Sequence, residues 1–164
     1  MIAATDPTVL RLASEVEIQK TINRYFQALD DKRLDAGSLA EIFAPDARVT
    51  RPNGSTMVGP RIIGESHTHS LGRFRATQHL ASGLIVTVVG DTEARFRGNL
   101  VALHFWGEGQ GDQTRDPDEN HFHAGGIVTG RVVLLADGWR IAEIAMEVTW
   151  RRGVGFQQML RETR

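Results

Sequence analysis

ATQHLASGLIVTVVG, residues 76–90, decides the fold. Its β-branched, aliphatic run reads as a strand, and a histidine, His79, stands where that strand begins. Three more runs of the same kind follow: EARFRGNLVALHFW (93–106), HFHAGGIVTGRVVLL (121–135) and GWRIAEIAMEVTWRR (138–152). A Gly-Asp turn, the polar loop GEGQGDQTRDPDEN (107–120) and an Ala-Asp-Gly turn separate them. Strands of this length exceed the usual size of about five or six residues. The sheet must therefore bend strongly, and Gly83, Gly98, Gly125, Gly126 and Gly130 are the expected bend or bulge points.

Upstream of residue 75 the period changes. Ile18, Ile22, Tyr25, Phe26 and Leu29 recur at spacings of three and four, which makes one apolar helical stripe ending at LDDKRLDAG. Leu34, Leu39, Ile42 and Phe43 predict a second, short helix closed by Pro45. DARVTRPNGSTMVGP predicts two short strands about a Pro-Asn-Gly turn, and GPRIIGESHTHSLGRF a third helix. Helices first and a long sheet afterwards is the α+β pattern. N-terminal helices packed on a strongly curved antiparallel or mixed sheet make a cone-shaped α+β barrel with an interior pocket. The reading is one domain over 1–164, with a mobile loop at 107–120 and a tail or lid at 153–164.

Composition narrows the partners. With 19 basic and 20 acidic residues the formal charge is −1, so nothing marks a nucleic-acid or anionic-membrane surface. No apolar run reaches the roughly 18 residues of a membrane span, and the first residues lack the pattern of a leader peptide. A cytoplasmic location is expected by default. The absence of cysteine removes disulfides, thiolate metal sites and thiol nucleophiles.

The chemistry starts with the histidines. Alternation along a strand puts Thr77, His79 and Ala81 on one face, and Phe96, Leu100, Ala102 and His104 on one face of the next strand. Each imidazole thus has small or apolar company, as in a pocket wall. Burial lowers a histidine's pKa and a nearby carboxylate raises it, and a base useful near neutral pH balances the two. Asp30 is the candidate carboxylate, because it and Asp31 sit at a helix C-terminus, where the helix dipole disfavours negative charge.

IQKTINRYFQALDDKRLDAGSLAEIFAPDARVTRPNG, followed by ATQHL, NLVALHF and the closing DGWRIAEIAMEVTWRRG, resembles the SnoaL-like branch of the nuclear transport factor 2 superfamily. Scytalone dehydratase, bile-acid 7-alpha-dehydratase and hexachlorocyclohexane dehydrochlorinase share this pattern, which runs here from about residue 15 to 152. The resemblance implies the cone fold and assigns catalytic roles. Asp30 orients a histidine, His79 moves the proton, His104 is a second pocket histidine, and Tyr25 contributes to the site. It also exposes a departure: Arg51 stands where the dehydratases carry a tyrosine in the first short strand. Arginine there would hold a carboxylate, phenolate or enolate oxygen as a substrate-binding group. Trp106 and Trp150 are read as core or interface aromatics and, beside Arg51, as candidate substrate-binding residues.

Together these residues imply a cofactor-independent lyase, a dehydratase, acting by His/Asp proton transfer on a hydrophobic, oxygenated small molecule such as a polyketide, aromatic or steroid-like ketone. The same steps without a leaving group give an isomerase or polyketide cyclase. A non-catalytic ligand-binding protein, or a partner like the small subunit of ring-hydroxylating dioxygenases, is the alternative from another class. The resemblance further implies a homo-oligomer, dimer or trimer, formed through the open sheet face. His67 and His69, at helical i,i+2 spacing, diverge by about 200° and cannot share a metal. His121 and His123 on a strand point the same way and could ligate zinc or iron, but the reading assigns no metal.

Overall fold

The computed structural model describes residues 6–157. Helix α1 (Pro7–Asp30) begins where the Asp6 carboxylate accepts from the Thr8 amide at 2.7 Å, with Pro7 in the first turn. Its second half buries Ile18, Ile22, Tyr25, Phe26 and Leu29, the predicted stripe. The chain leaves the helix through Lys32 in the left-handed region (φ 54°), whose ammonium donates to the Phe74 carbonyl.

Helix α2 (Ala36–Ala40), capped by Asp35, is shorter than predicted. Phe43 does not extend it and Pro45 does not close it, because Phe43 opens strand β1 (Phe43–Thr50), which contains that proline. Phe43 pairs with Ile141 in a parallel ladder, and Pro45 falls in the register slip between Phe43 and Arg48, where its missing N–H breaks no regular pairing. Strand β2 (Thr56–Val58) returns antiparallel to β1 across the predicted turn, and helix α3 (Pro60–Leu71) follows Gly59.

The long strands are β3 (Phe74–Val88), β4 (Glu93–Trp106), β5 (His121–Leu135) and β6 (Gly138–Gly153). The sheet order is β2-β1-β6-β5-β4-β3; β1 and β6 run parallel and the other pairs antiparallel, so the sheet is mixed. It curves without closing on itself. Irregularities in its long ladders include those between Ser82 and Ile85, spanning Gly83 (φ 57°), between Gly125 and Gly126, and between Arg131 and Val132, next to Gly130. At Gly126 a Cβ would overlap the Glu147 carbonyl of the neighbouring strand, so only glycine permits that approach. Gly98 pairs regularly with Val128 on one side, and on the other it faces the bulged Gly83–Leu84 pair and makes room for the Leu84 side chain.

The stripe of α1 packs with Val49, Phe96, Val128 and Ile144 in one core. Loop 107–120 is tied through Asn120, whose side chain donates to the Gln110 carbonyl and accepts from the Asp112 amide. The tail expected at 153–164 starts within β6 and, beyond residue 157, lies outside the described residues. Among the described residues no helix is long and apolar enough to cross a membrane.

Candidate active site

The concave side of the sheet holds a mostly apolar cavity of about 220 Å³. Strand register builds its wall: His79 lies opposite Ala102, and His104 lies between Thr77 and Phe122. Alternation then brings His79, Leu100, Ala102, His104, Phe122 and Ala124 to the cavity.

At one side of it Asp30 and His79 form a pair. The His79 ring Nδ1 is 2.6 Å from Asp30 Oδ1, the His79 amide donates to Oδ2 at 2.8 Å, and the Thr77 hydroxyl donates to Oδ1 at 3.0 Å. Asp30 ends α1, so its charge opposes the helix dipole, and these three donors offset that cost. Burial alone would raise the Asp30 carboxyl, but the hydrogen bonds and charge of His79, with Thr77, hold it below the usual carboxylate value. A carboxylate at Nδ1 places the ring's proton there and leaves Nε2 as the basic nitrogen. The His79 side chain is 7% exposed, and Phe26 stacks on it at 6.2 Å between centroids.

His104 stands edge-on to His79, with ring centroids 5.6 Å apart, and lies flat on Phe122 at 4.4 Å. Burial, helped by the charge of His79, pushes its pKa down to about 3, so it is neutral in the fold. Its Nδ1 is buried without a hydrogen-bond partner among the described residues.

A second polar group faces the cavity from α3 and the end of β1. Arg51 Nη2 donates to the Ser66 carbonyl at 2.9 Å and to the Ser70 hydroxyl at 2.7 Å, and lies 3.5 Å from His67 Nδ1. Arginine can only donate, so Nδ1 is the bare nitrogen of His67, and Nε2–H donates to the Tyr25 oxygen at 3.0 Å. Burial, reinforced by Arg51, pushes His67 down to about 3, and burial raises Tyr25 well above its ordinary value. The helical spacing of Ile63, His67 and Leu71 puts all three on the buried face of α3.

The SnoaL-like domain family model matches residues 10–145. The chain belongs to the SnoaL-like family. Solved structures share its fold at low identity. The Kfla4162 protein of Kribbella flavida is 21% identical with a TM-score of 0.76, over 87% of this chain and 95% of that one. A candidate scytalone dehydratase of Novosphingobium aromaticivorans is 20% identical with a TM-score of 0.75, over 89% and 91%. A hexachlorocyclohexane dehydrochlorinase is 19% identical with a TM-score of 0.74, over 87% and 90%. No curated protein sequence matches.

In this SnoaL-like protein the cavity gathers His79, His104 and Arg51, with Asp30 behind His79. The other candidates fall elsewhere. Tyr25 is fully buried behind His67 and does not line the cavity, so it is a positioning residue for that histidine. Trp106, expected at the substrate, is sealed behind Phe74 and Phe122, with its indole N–H on the Val154 carbonyl at 2.8 Å. Trp150 lies across Gly125, 48% exposed and outside the cavity lining. Neither tryptophan is placed to touch a ligand in the cavity, because packing against neighbouring aromatic rings or glycine took the rings away from it. His67, read from sequence only as half of a metal-like pair, is the residue that reading missed; its signal was the helical period shared with Ile63 and Leu71. His121 and His123 stack on each other at 4.6 Å, and the described residues contain no group of three or more His, Asp or Glu side chains arranged to hold a metal.

Proposed function

We propose that this protein is a lyase of the dehydratase type, in which His79 moves a proton at a carbon next to a carbonyl. The observation that carries the reading is the Asp30–His79 pair. One carboxylate is engaged by the ring, the amide and the Thr77 hydroxyl around a single imidazole that lines an apolar cavity. A structural histidine would need no such orientation of its free nitrogen.

In this reaction Nε2 of His79 takes the α-proton, and the electron pair of the C–H bond moves to the carbonyl oxygen as an enolate. The imidazolium is stabilised by Asp30. The neutral imidazole of His104 supplies a polar contact to the enolate without adding charge. When the enolate collapses, the β-hydroxyl leaves with the proton from His79, so water departs and the base is restored. Without a leaving group, return of the proton to a different carbon gives isomerisation. The cavity lies below the roughly 300–1,000 Å³ of drug-sized sites, which favours a one- or two-ring ketone over a steroid.

The test uses two small ketones. In D2O the wild type should accelerate loss of the C2 proton of 1-tetralone, followed by NMR, and should convert 3-hydroxy-1-tetralone to 1-naphthol and water. His79→Ala should reduce both by about 10²–10⁴-fold while the circular dichroism spectrum stays native. Full activity in that variant removes the assignment.

A further inference from the structure

Arg51 is the cavity group that the proton-transfer steps above leave unused. Its guanidinium is built in through one nitrogen: Nη2 donates to the Ser66 carbonyl and to the Ser70 hydroxyl, and that hydroxyl passes its own proton to the same carbonyl at 2.6 Å. Nε and Nη1 find no acceptor among the described residues, and no described carboxylate lies within ion-pair distance of the group. A cation partly withdrawn from water without a counter-charge is unfavourable, and burial already disfavours its charged form. Its neighbours Tyr25 and His67 are neutral and do not relieve this. Asp30 is occupied by His79 and Thr77.

We propose that the substrate carries a carboxylate, which Arg51 holds at the β1–α3 side of the cavity while the reacting carbon lies against His79. This rests on reading the cavity as the active site. The sheet order supports two separate poles: β3, with His79, is one edge of the sheet, and β1, which delivers Arg51, lies next to the other edge. Curvature turns both toward one cavity, so a single small molecule can span from cation to base. An enolate is transient and forms beside the base. A permanent cation, anchored before any ligand arrives, is complementary to a permanent anion and fixes the reacting end of the molecule by fixing the other.

Calorimetric titration with 2-naphthoate and its neutral counterpart 2-naphthamide tests this at about 0.1 M salt. The wild type should bind the carboxylate at least about tenfold more tightly. Arg51→Gln should erase the difference, and Arg51→Lys, which keeps the charge without the planar fork, should retain part of it. The lysine variant keeps the experiment interpretable if the glutamine variant does not fold. His79→Ala should preserve the preference, so failure of the proton-transfer reading and failure of this one are seen in different measurements. Equal affinity for acid and amide in the wild type, no measurable binding of 2-naphthoate, or a preference that survives Arg51→Gln would overturn the proposal.

Discussion

Mild acid should destabilise this fold through two buried imidazoles, and the size of the effect follows from their environment. His67 and His104 are held near 3 in the folded chain, against an ordinary value of 6.5. The unfolded chain therefore takes up two protons as pH falls through 6.5, and the folded chain does not until much stronger acid. Where the unfolded state binds more protons, stability falls with pH. Moving from 6.5 to about pH 5 spans 1.5 units at about 1.36 kcal/mol each, or about 2 kcal/mol per imidazole and about 4 kcal/mol for the pair. Asp30 contributes in the same direction. Its depressed carboxyl, however, holds its stabilisation above the ordinary carboxylate range and loses it only on passing through and below that range, outside this window. The assay is urea denaturation at about pH 7, 6 and 5, with the free energy extrapolated to water at each pH. His104→Gln removes one titrating group and should cut the loss over this interval by about 2 kcal/mol. Wild-type stability flat to within about 0.5 kcal/mol, or a variant whose pH slope equals the wild type's, would refute the desolvation of these rings in the fold.

Other substitutions probe the remaining contacts. Asp30→Asn removes the charge that stabilises the His79 imidazolium; turnover of 3-hydroxy-1-tetralone should fall by about 10²–10⁴-fold. The same change weakens three hydrogen bonds and should lower unfolding free energy by about 2 kcal/mol in urea melts. Tyr25→Phe leaves the Nε2–H of His67 without its partner in a buried site, an expected loss of about 1–3 kcal/mol in thermal and urea unfolding. Gly126→Ala drives a methyl group into the Glu147 carbonyl at the bulge and should cost about 1–3 kcal/mol or more, read from the same denaturation curves.

Much of the architecture was legible from local pattern. The stripe from Ile18 to Leu29, the four long strands and the Pro-Asn-Gly turn each appear where their periods and turn residues put them, because burying one face of a helix or strand leaves a regular trace in the chain. Phe43 and Pro45 were misread because their strand depends on a parallel partner, β6, almost a hundred residues away, and no local pattern reports such a pairing. The histidines divide in the same way. His79 and His104 stood out because each interrupts an apolar strand, whereas His67 was hidden in a polar-looking helix whose buried face emerges only when α3 packs beside Tyr25 and Arg51.

By itself the chain determined the order of helices and strands, the face each strand turns inward, and the placing of an aspartate at a helix end where its charge is unfavourable unless something accepts it. The family resemblance implied a histidine as its partner, but the contacts that hold it exist only in the tertiary structure. The bend at Gly83, Gly125 and Gly126 brings β3 beneath the end of α1 and β1 beside α3, so that Asp30 meets His79 and Arg51 meets His67. It also took Trp106 and Trp150 out of the cavity. The reason is distance along the chain: Asp30 and His79 are 49 residues apart, and side chains so separated have no local relation until the curved sheet brings them into contact.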